Sequence, residues 1–314
     1  GPSSGAIYPL FVSQAKALNP DYVSMIIPSR WFATGRGTDA FRVEMLHDDS
    51  ISVLHDYRDA SYCFTNVEIK GGVCYFLRDN KYKGKCNIIS HKSDQTISIS
   101  NRKLLEDGLD VFIRDDEMVS ILNKVISQTE SPFSSIVSVR DPFGYDIREE
   151  NSFKSVPHKF SLSKTIDECI EFYYNGWRKK GIGYVSVNSV GDKREWVDKY
   201  KVLIPNAWGS GDSSKDRINP FIVNPKSVCT ETYLVVGPFD SLQIAKNAKT
   251  YIETKFFHAL VSIMKTTQHA TQRVYELVPM QDFTKPWTDT ELYAKYNLSE
   301  EEVAFIEATI KPME

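Results

Sequence analysis

Apolar positions recur at helical spacing from the start of the chain. Ile7, Leu10, Phe11, Ala15 and Leu18 fall near one face, and Asn19-Pro20 ends the run. Tyr22 to Ile27 is then almost continuously apolar and is closed by Pro28, the pattern of a strand buried in a parallel sheet. Thr38 or Asp39 can cap a helix over 40–47 with Phe41 and Met45 inward, and 51–56 predicts a second strand. Val67 to Leu77, rich in β-formers around Gly71-Gly72, predicts a third strand with a bulge at the glycines. Together these elements predict one half of an open α/β sheet. Such a half leaves backbone unpaired along the strand edge where the other half would sit.

Beyond Lys81 the texture changes. Short strands are predicted over 86–89, 96–99, 182–187, 201–204 and 230–236, and a helix with an acidic start over 115–126. Residues 131–165 are turn-rich and 210–219 form a polar loop. Ser241 caps a helical stretch through Ile252 and Phe256 that continues or restarts to Met264. Ser299-Glu-Glu-Glu302 opens a last helix to Ile310. The predicted domains are 1–80 and 81–314, since 314 residues exceed what one hydrophobic core usually serves.

Composition changes this picture little. With 41% hydrophobic and 25% charged residues the chain is an ordinary globular protein, which excludes disordered, collagenous and membrane classes. No apolar run approaches the roughly 18–20 residues of a membrane span. A cytoplasmic location is the default expectation. The five cysteines are odd in number and widely spaced, so neither a disulfide framework nor a metal site is expected. A net charge of −3 gives no global attraction to phosphate, and contact with nucleic acid must come from local basic patches. The opening Gly1-Pro2-Ser3-Ser4-Gly5 lacks methionine and runs straight into a helix, which reads as a cut start.

The order of these segments carries a resemblance. Tyr8-Pro-Leu-Phe11 and its helix, the strand Val23 to Pro28 followed by Ser29-Arg30-Trp31-Phe32, and Phe64 ahead of Val67 to Leu77 resemble the later motifs of adenine-N6 DNA methyltransferases. The similarity is to the Eco57I-like and TaqI-like branches of restriction-modification enzymes, in their C-terminal part. It implies the C-terminal half of a Rossmann-like methyltransferase sheet, followed by a mixed α+β target-recognition domain. It also implies double-stranded DNA as partner, S-adenosylmethionine as the cofactor of the intact enzyme, and a target-base pocket walled by Phe64 and Pro28.

Two motifs of that family are missing: the Gly-containing loop that holds the cofactor and the Asn-Pro-Pro-Tyr loop that accepts the adenine amine. Asn19-Pro20-Asp21-Tyr22 stands in the wrong order and has Asp where proline belongs. No catalytic residue is therefore expected, and this chain alone is expected to be inactive and to bind no cofactor, completed by a missing N-terminal part or a partner subunit. The alternative is a noncatalytic DNA-binding specificity module that acts through such a partner.

Individual residues carry two readings each. Phe64 can stack on a flipped base or simply pack at a strand entrance. Arg30 follows the carboxyl end of a strand, where open α/β sheets bind ligands, or is a surface arginine. Trp177-Arg178-Lys179-Lys180 suits a phosphate-contacting turn or a solvated charge run. Lys265, Gln268 and Arg273 lie in a polar segment able to reach phosphates or base edges, and Arg217 closes a loop whose glycines allow close backbone approach. His47, His55 and Asp56 read as structural, and Glu231 and Glu302 form no nuclease pattern.

Overall fold

The computed structural model describes residues 5–33, 37–67, 69–92, 97–146, 160–164, 168–176, 179–209, 216–265 and 268–311. The chain divides between Asn123 and Lys124 into two compact units, the first also taking in Ser262–Thr267.

The first unit orders α1 (Tyr8–Ala17), β1 (Tyr22–Pro28), α2 (Asp39–Leu46), β2 (Ile51–Tyr57), β3 (Val73–Asp79), β4 (Cys86–His91) and β5 (Ile97–Arg102). The strands form one sheet in the order β1-β3-β2-β4-β5. β3 lies between β1 and β2 and is antiparallel to both, so β1 and β2 run in the same direction. β4 is parallel to β2, and β5 returns antiparallel to β4. On the inner face Val12, Val23, Ile27, Trp31, Phe41, Met45, Leu54, Phe76 and Ile88 share one core.

Three expectations are corrected here. Among the described residues β1 is not buried between parallel neighbours: its strand partner there is the antiparallel β3, and it buries Val23 and Ile27 while Tyr22, Ser24 and Ile26 are exposed. A run of six apolar or small residues satisfies both patterns, and only the pairing separates them. β3 starts at Val73, because Gly71 and Gly72, at φ 89° and 81°, form the turn before the strand and not a bulge inside it. The division expected near residue 80 falls inside the sheet, which β4 and β5 extend.

In the second unit β6 (Cys169–Gly176) pairs antiparallel with β7 (Lys179–Ser186). A second sheet sets β8 (Tyr200–Pro205) between β9 (Phe221–Val223) and β11 (Tyr233–Phe239), while β10 (Ser227–Cys229) lies parallel to β6. Phe172, Tyr174, Val185, Leu203, Tyr233 and Val235 share its core. α3 (Asp116–Ile126) spans the division between the units, and α4 (Leu242–Ile252), α5 (Lys255–Met264), α6 (Asp289–Lys295) and α7 (Glu300–Thr309) complete the chain.

The caps explain why these helices start where they do. Ser241 Oγ accepts from Ile244 N at 3.2 Å, and Ser299 with Glu302 closes a reciprocal capping box. α5 takes its cap from far away: the Asp289 carboxylate accepts from Lys255 N at 3.1 Å and Phe256 N at 2.8 Å. The protein is mixed α/β, with three sheets among the described residues and helices from both units.

Candidate functional site

The carboxyl ends of β1 and β2 come out on the same side of the sheet, at Pro28 and Tyr57, with Val73 starting β3 between them. Open α/β sheets gather their chemistry at such ends. Here the chain is tied by a buried network. Asp56, fully buried, receives Arg114 through Nε to Oδ2 at 2.6 Å and Nη2 to Oδ1 at 2.5 Å. Arg114 Nη1 also donates to Gly71 O at 3.1 Å, and its guanidinium lies 5.5 Å from the centre of the Phe32 ring. Ser29 donates twice, from Oγ to Asp56 Oδ1 at 3.3 Å and from N to Gly72 O at 3.0 Å. Arg58 and Asp115 form a second pair at 2.6 Å. Burial alone would raise the Asp115 carboxyl, but the Arg58 guanidinium overrides it and holds the group below the ordinary value.

Gly72 is required by this packing. A Cβ there would stand 2.1 Å from the Tyr57 carbonyl oxygen and 2.8 Å from that of Arg58, in a left-handed backbone besides.

Of the expected pocket residues, Pro28 ends β1 half-buried, and Arg30 is exposed on the 3₁₀ turn Ser29–Phe32. Trp31 beside it is fully buried, edge-on to Phe32 and Phe41. Phe64 is 37% exposed, and its N donates to Ala60 O at 2.8 Å. The connection that bears it leaves from Tyr57 and returns at Val73, so both ends are anchored at this end of the sheet. Asn19, at φ 49°, turns the chain from α1 toward the opposite end of β1. In the same unit a cavity of about 750 Å³, lined by Leu46, Ile51, Lys85, Leu104 and Leu109, lies at the start of β2, away from Pro28.

The outer face of the sheet carries a row of rings that sequence reasoning left as scattered residues. His55 stacks on Tyr75 at 4.2 Å and Tyr57 on His91 at 3.9 Å, with His55 Nδ1 and His91 Nε2 at 3.0 Å. Partial burial pulls both imidazoles below the ordinary value, His55 further through its neighbour His91. A histidine depressed in the folded state favours folding above its unfolded value near 6.5 and loses that contribution as the pH falls. Stability should therefore decline between pH 7.5 and 5, and His55→Gln should flatten the decline in urea titrations at the two pH values.

In the second unit two loops expected separately prove to be partners. Ala207 bridges His269, Trp208 N donates to Gln268 O at 2.9 Å, and Ala270 N donates to Asn206 O at 2.9 Å. Ala207 and His269 are exposed on this paired segment and Gln268 is half-buried. Gly209, at φ 61°, is needed because a Cβ would meet the buried Asp216 carboxylate at 1.9 Å. That packing, and not approach to another backbone, accounts for the glycine. Arg217 is half-buried, and Arg273 is half-buried with Glu276 at 3.7 Å.

Gln272, which the sequence did not single out, donates to Ser134 O at 3.1 Å and Val137 O at 2.7 Å. Lys265 is 3% exposed at the end of α5, a placement that does not fit contact with phosphate. Trp177 and Arg178 lie outside the described residues. Lys179 and Lys180 begin β7 opposite Gly176 and Asn175, with their side chains not described. Lys201 is buried and pulled down to about 8 by burial, yet its ammonium donates to Trp196 O at 2.8 Å and Lys199 O at 2.7 Å, a turn-holding role.

Among the described residues no group of three or more His, Cys, Asp or Glu could hold a metal ion. No cysteine is in a disulfide. No described helix is long and apolar enough to cross a membrane.

Comparison with known proteins bears on the first unit. Residues 2–64 match the Eco57I restriction-modification methylase family. The match takes in Tyr8 to Phe11, Val23 to Phe32 and Phe64; Val67 to Leu77, on which the resemblance also rests, lies beyond it. An uncharacterized adenine-specific methylase of Mycoplasma pneumoniae is 31% identical over 152 residues, 46% of this chain and 36% of that protein. A probable dual-specificity RNA methyltransferase RlmN of Finegoldia magna is 25% identical over 120 residues, 38% of this chain and 31% of that protein. The chain thus spans about a third of the length of these curated relatives. Among solved structures, the type IIL restriction-modification enzyme MmeI in complex with DNA covers 97% of this chain and 47% of its own, at 10% identity and a TM-score of 0.50, a likeness of fold.

A methylase family implies S-adenosylmethionine, and the residues at the end of β1 and β2 do not fit it. The Tyr57 and Arg58 carbonyls pack against Gly72, and Asp56 is consumed by Arg114. No reaction step through the cofactor is assigned to these residues.

Proposed function

We propose that this chain is the DNA-reading part of a site-specific adenine-N6 methyltransferase of a restriction-modification system, and that it supplies one wall of the target-base pocket. The observation that carries this reading is the place of the family match. Its residues 2–64 include the strand that ends at Pro28 and the connection that presents Phe64. Pro28 and Phe64 are the proposed wall, with Phe64 replacing the stacking that a flipped adenine loses. Arg30, Arg217, Gln268 and Arg273, with the 177–180 segment, are the proposed DNA contacts. Cofactor binding and methyl transfer fall to polypeptide beyond these residues, and the work is done on duplex DNA in the cytoplasm.

The misfit of the cofactor favours one second reading, a specificity module without catalysis that acts through a partner subunit. Both readings require DNA binding, and methylation assays of the chain mixed with candidate partner subunits separate them.

Fluorescence anisotropy with a labelled duplex tests the shared core. Affinity should fall by about tenfold or more between 50 and 200 mM salt, because each neutralised phosphate releases counterions. The combined substitution Arg217→Ala, Gln268→Ala and Arg273→Ala should weaken binding by at least about tenfold at fixed salt, as loss of one good base contact would. Binding indifferent to both would sink the reader assignment. Methylation of plasmid DNA by the chain alone would overturn the division of labour.

A further inference from the structure

The two segments that meet at Ala207 and His269 form a short antiparallel ribbon within the second unit. Its hydrogen bonds fix the kind of pair these residues make. Trp208 N donates to Gln268 O at 2.9 Å and Ala270 N to Asn206 O at 2.9 Å, so the two bonds flank the pair. This is the closely spaced type of antiparallel pair, with Cα atoms about 4.5 Å apart and both side chains on one face.

Alternation along a strand puts Asn206, Trp208, Gln268 and Ala270 on the opposite face. Burial follows the same division. Trp208 and Ala270 are buried, Asn206 and Gln268 are half-buried, and Ala207 and His269 are exposed. The Trp208 ring stands edge-on to His258 of α5, with 5.4 Å between centroids. The ribbon is thus anchored from beneath and presents one outward pair, a methyl beside an imidazole. Each segment also leads to an arginine. Arg217 follows Asp216, whose carboxylate packs against Gly209, and Arg273 lies on the 3₁₀ turn Gln272–Tyr275 that follows Ala270.

We infer that this ribbon enters the major groove of the bound DNA and that His269 and Ala207 read two adjacent base pairs there. That role presupposes the DNA-reading assignment above and names the element that performs it. The major groove, about 12 Å wide, admits a two-stranded ribbon. Side chains set side by side on such a ribbon are spaced to meet neighbouring base pairs, which lie about 3.4 Å apart. The Ala207 methyl offers only an apolar contact, and the apolar group that the groove presents is the methyl of thymine. An imidazole N–H donates to N7, the acceptor that both purines show there. A thymine adjacent to a purine is therefore the preferred step. Arg217 and Arg273, just beyond the ribbon in the chain, suit the flanking phosphates, contacts that position the protein without reading sequence. The half-buried Gln268 can reach DNA only past the ribbon's edge, whereas His269 stands outward.

Selection from a randomised duplex library by the full 314-residue chain tests this. The unaltered chain should enrich a motif that contains a thymine adjacent to a purine. His269→Ala should lose the preference at that purine and keep the rest of the motif. On the enriched duplex, each purine is then replaced in turn by its 7-deaza analogue, which removes only N7, and each thymine by uracil, which removes only the methyl. One replacement of each kind, at adjacent positions, should weaken binding of the unaltered chain at least about threefold. The same 7-deaza replacement should make no difference to His269→Ala, a result that a merely structural histidine would not give. A motif unchanged in His269→Ala overturns the role of the ribbon and leaves the DNA-reading assignment standing. So does indifference of the unaltered chain to every 7-deazapurine and uracil, a measurement that needs no altered protein. No enrichment by the unaltered chain overturns both.

Discussion

Replacing Arg114 by alanine is expected to cost the first unit about 3–5 kcal/mol, the penalty for leaving one partner of a buried ion pair without the other. Asp56 is fully buried and takes two of its contacts from that guanidinium. Ser29 Oγ, at 3.3 Å, is too weak a donor to hold the charge alone. Arg114→Lys should recover only part of the loss, because an ammonium cannot reach both carboxylate oxygens and Gly71 O as a planar fork does. The double variant Asp56→Ala with Arg114→Ala should be more stable than Arg114→Ala alone, since no unpaired charge then remains. Urea denaturation of the three proteins gives the comparison. A change below about 1 kcal/mol for Arg114→Ala, the scale of an exposed pair, would show that the network is not a brace.

Gly72→Ala is the second large effect. A left-handed backbone alone costs a residue with a Cβ roughly 1–2 kcal/mol. At Gly72 that Cβ would also sit 2.1 Å from the Tyr57 carbonyl oxygen, and backbone cannot rotate away as a side chain can. The turn must open, and with it the Ser29 N to Gly72 O bond that fixes the end of β1. Gly108 provides the control, having the same φ of 81° with no atom within 4 Å of a built Cβ. Gly108→Ala should lose only the conformational part, and Gly72→Ala clearly more. Equal losses would mean that the turn relaxes at no cost, and the end of β1 would then not depend on it.

How much of this was legible in the sequence depends on how far each cause lies along the chain. Ser241 and Ser299 read directly as caps, because the amides they satisfy are three residues away. The α5 cap did not, since Asp289 closes it from more than thirty residues downstream and no local pattern announces that. The apolar run at Tyr22 to Ile27 gave a strand but not its place: an edge strand and a buried parallel strand differ in their neighbour, not in their composition. β6 was missed although Ile170, Phe172 and Tyr174 alternate inward, because Glu171, Tyr173 and Asn175 give its other face a polar and aromatic texture resembling the turns before it.

The candidate residues divide the same way. Phe64 and Arg30 were expected from motif order, and both are exposed. Lys265 was read from its polar neighbours, yet it closes an apolar helix whose burial it shares. Gln268 and Trp208 belonged to two separate loops on paper; their pairing is a long-range backbone contact that single-residue chemistry does not encode.

The brace at Arg114 bears on how segments can be exchanged between relatives. The segment matched to the methylase family stops at residue 64, but the guanidinium that steadies its strand ends arrives fifty residues later, after three more strands of the same sheet. Chimeras joined at the end of the matched segment would strip Asp56 of its counter-ion and cut the sheet across its middle. Grafts of the second unit should instead be spliced after α3, past Ile126, so that the brace travels with the strands it supports.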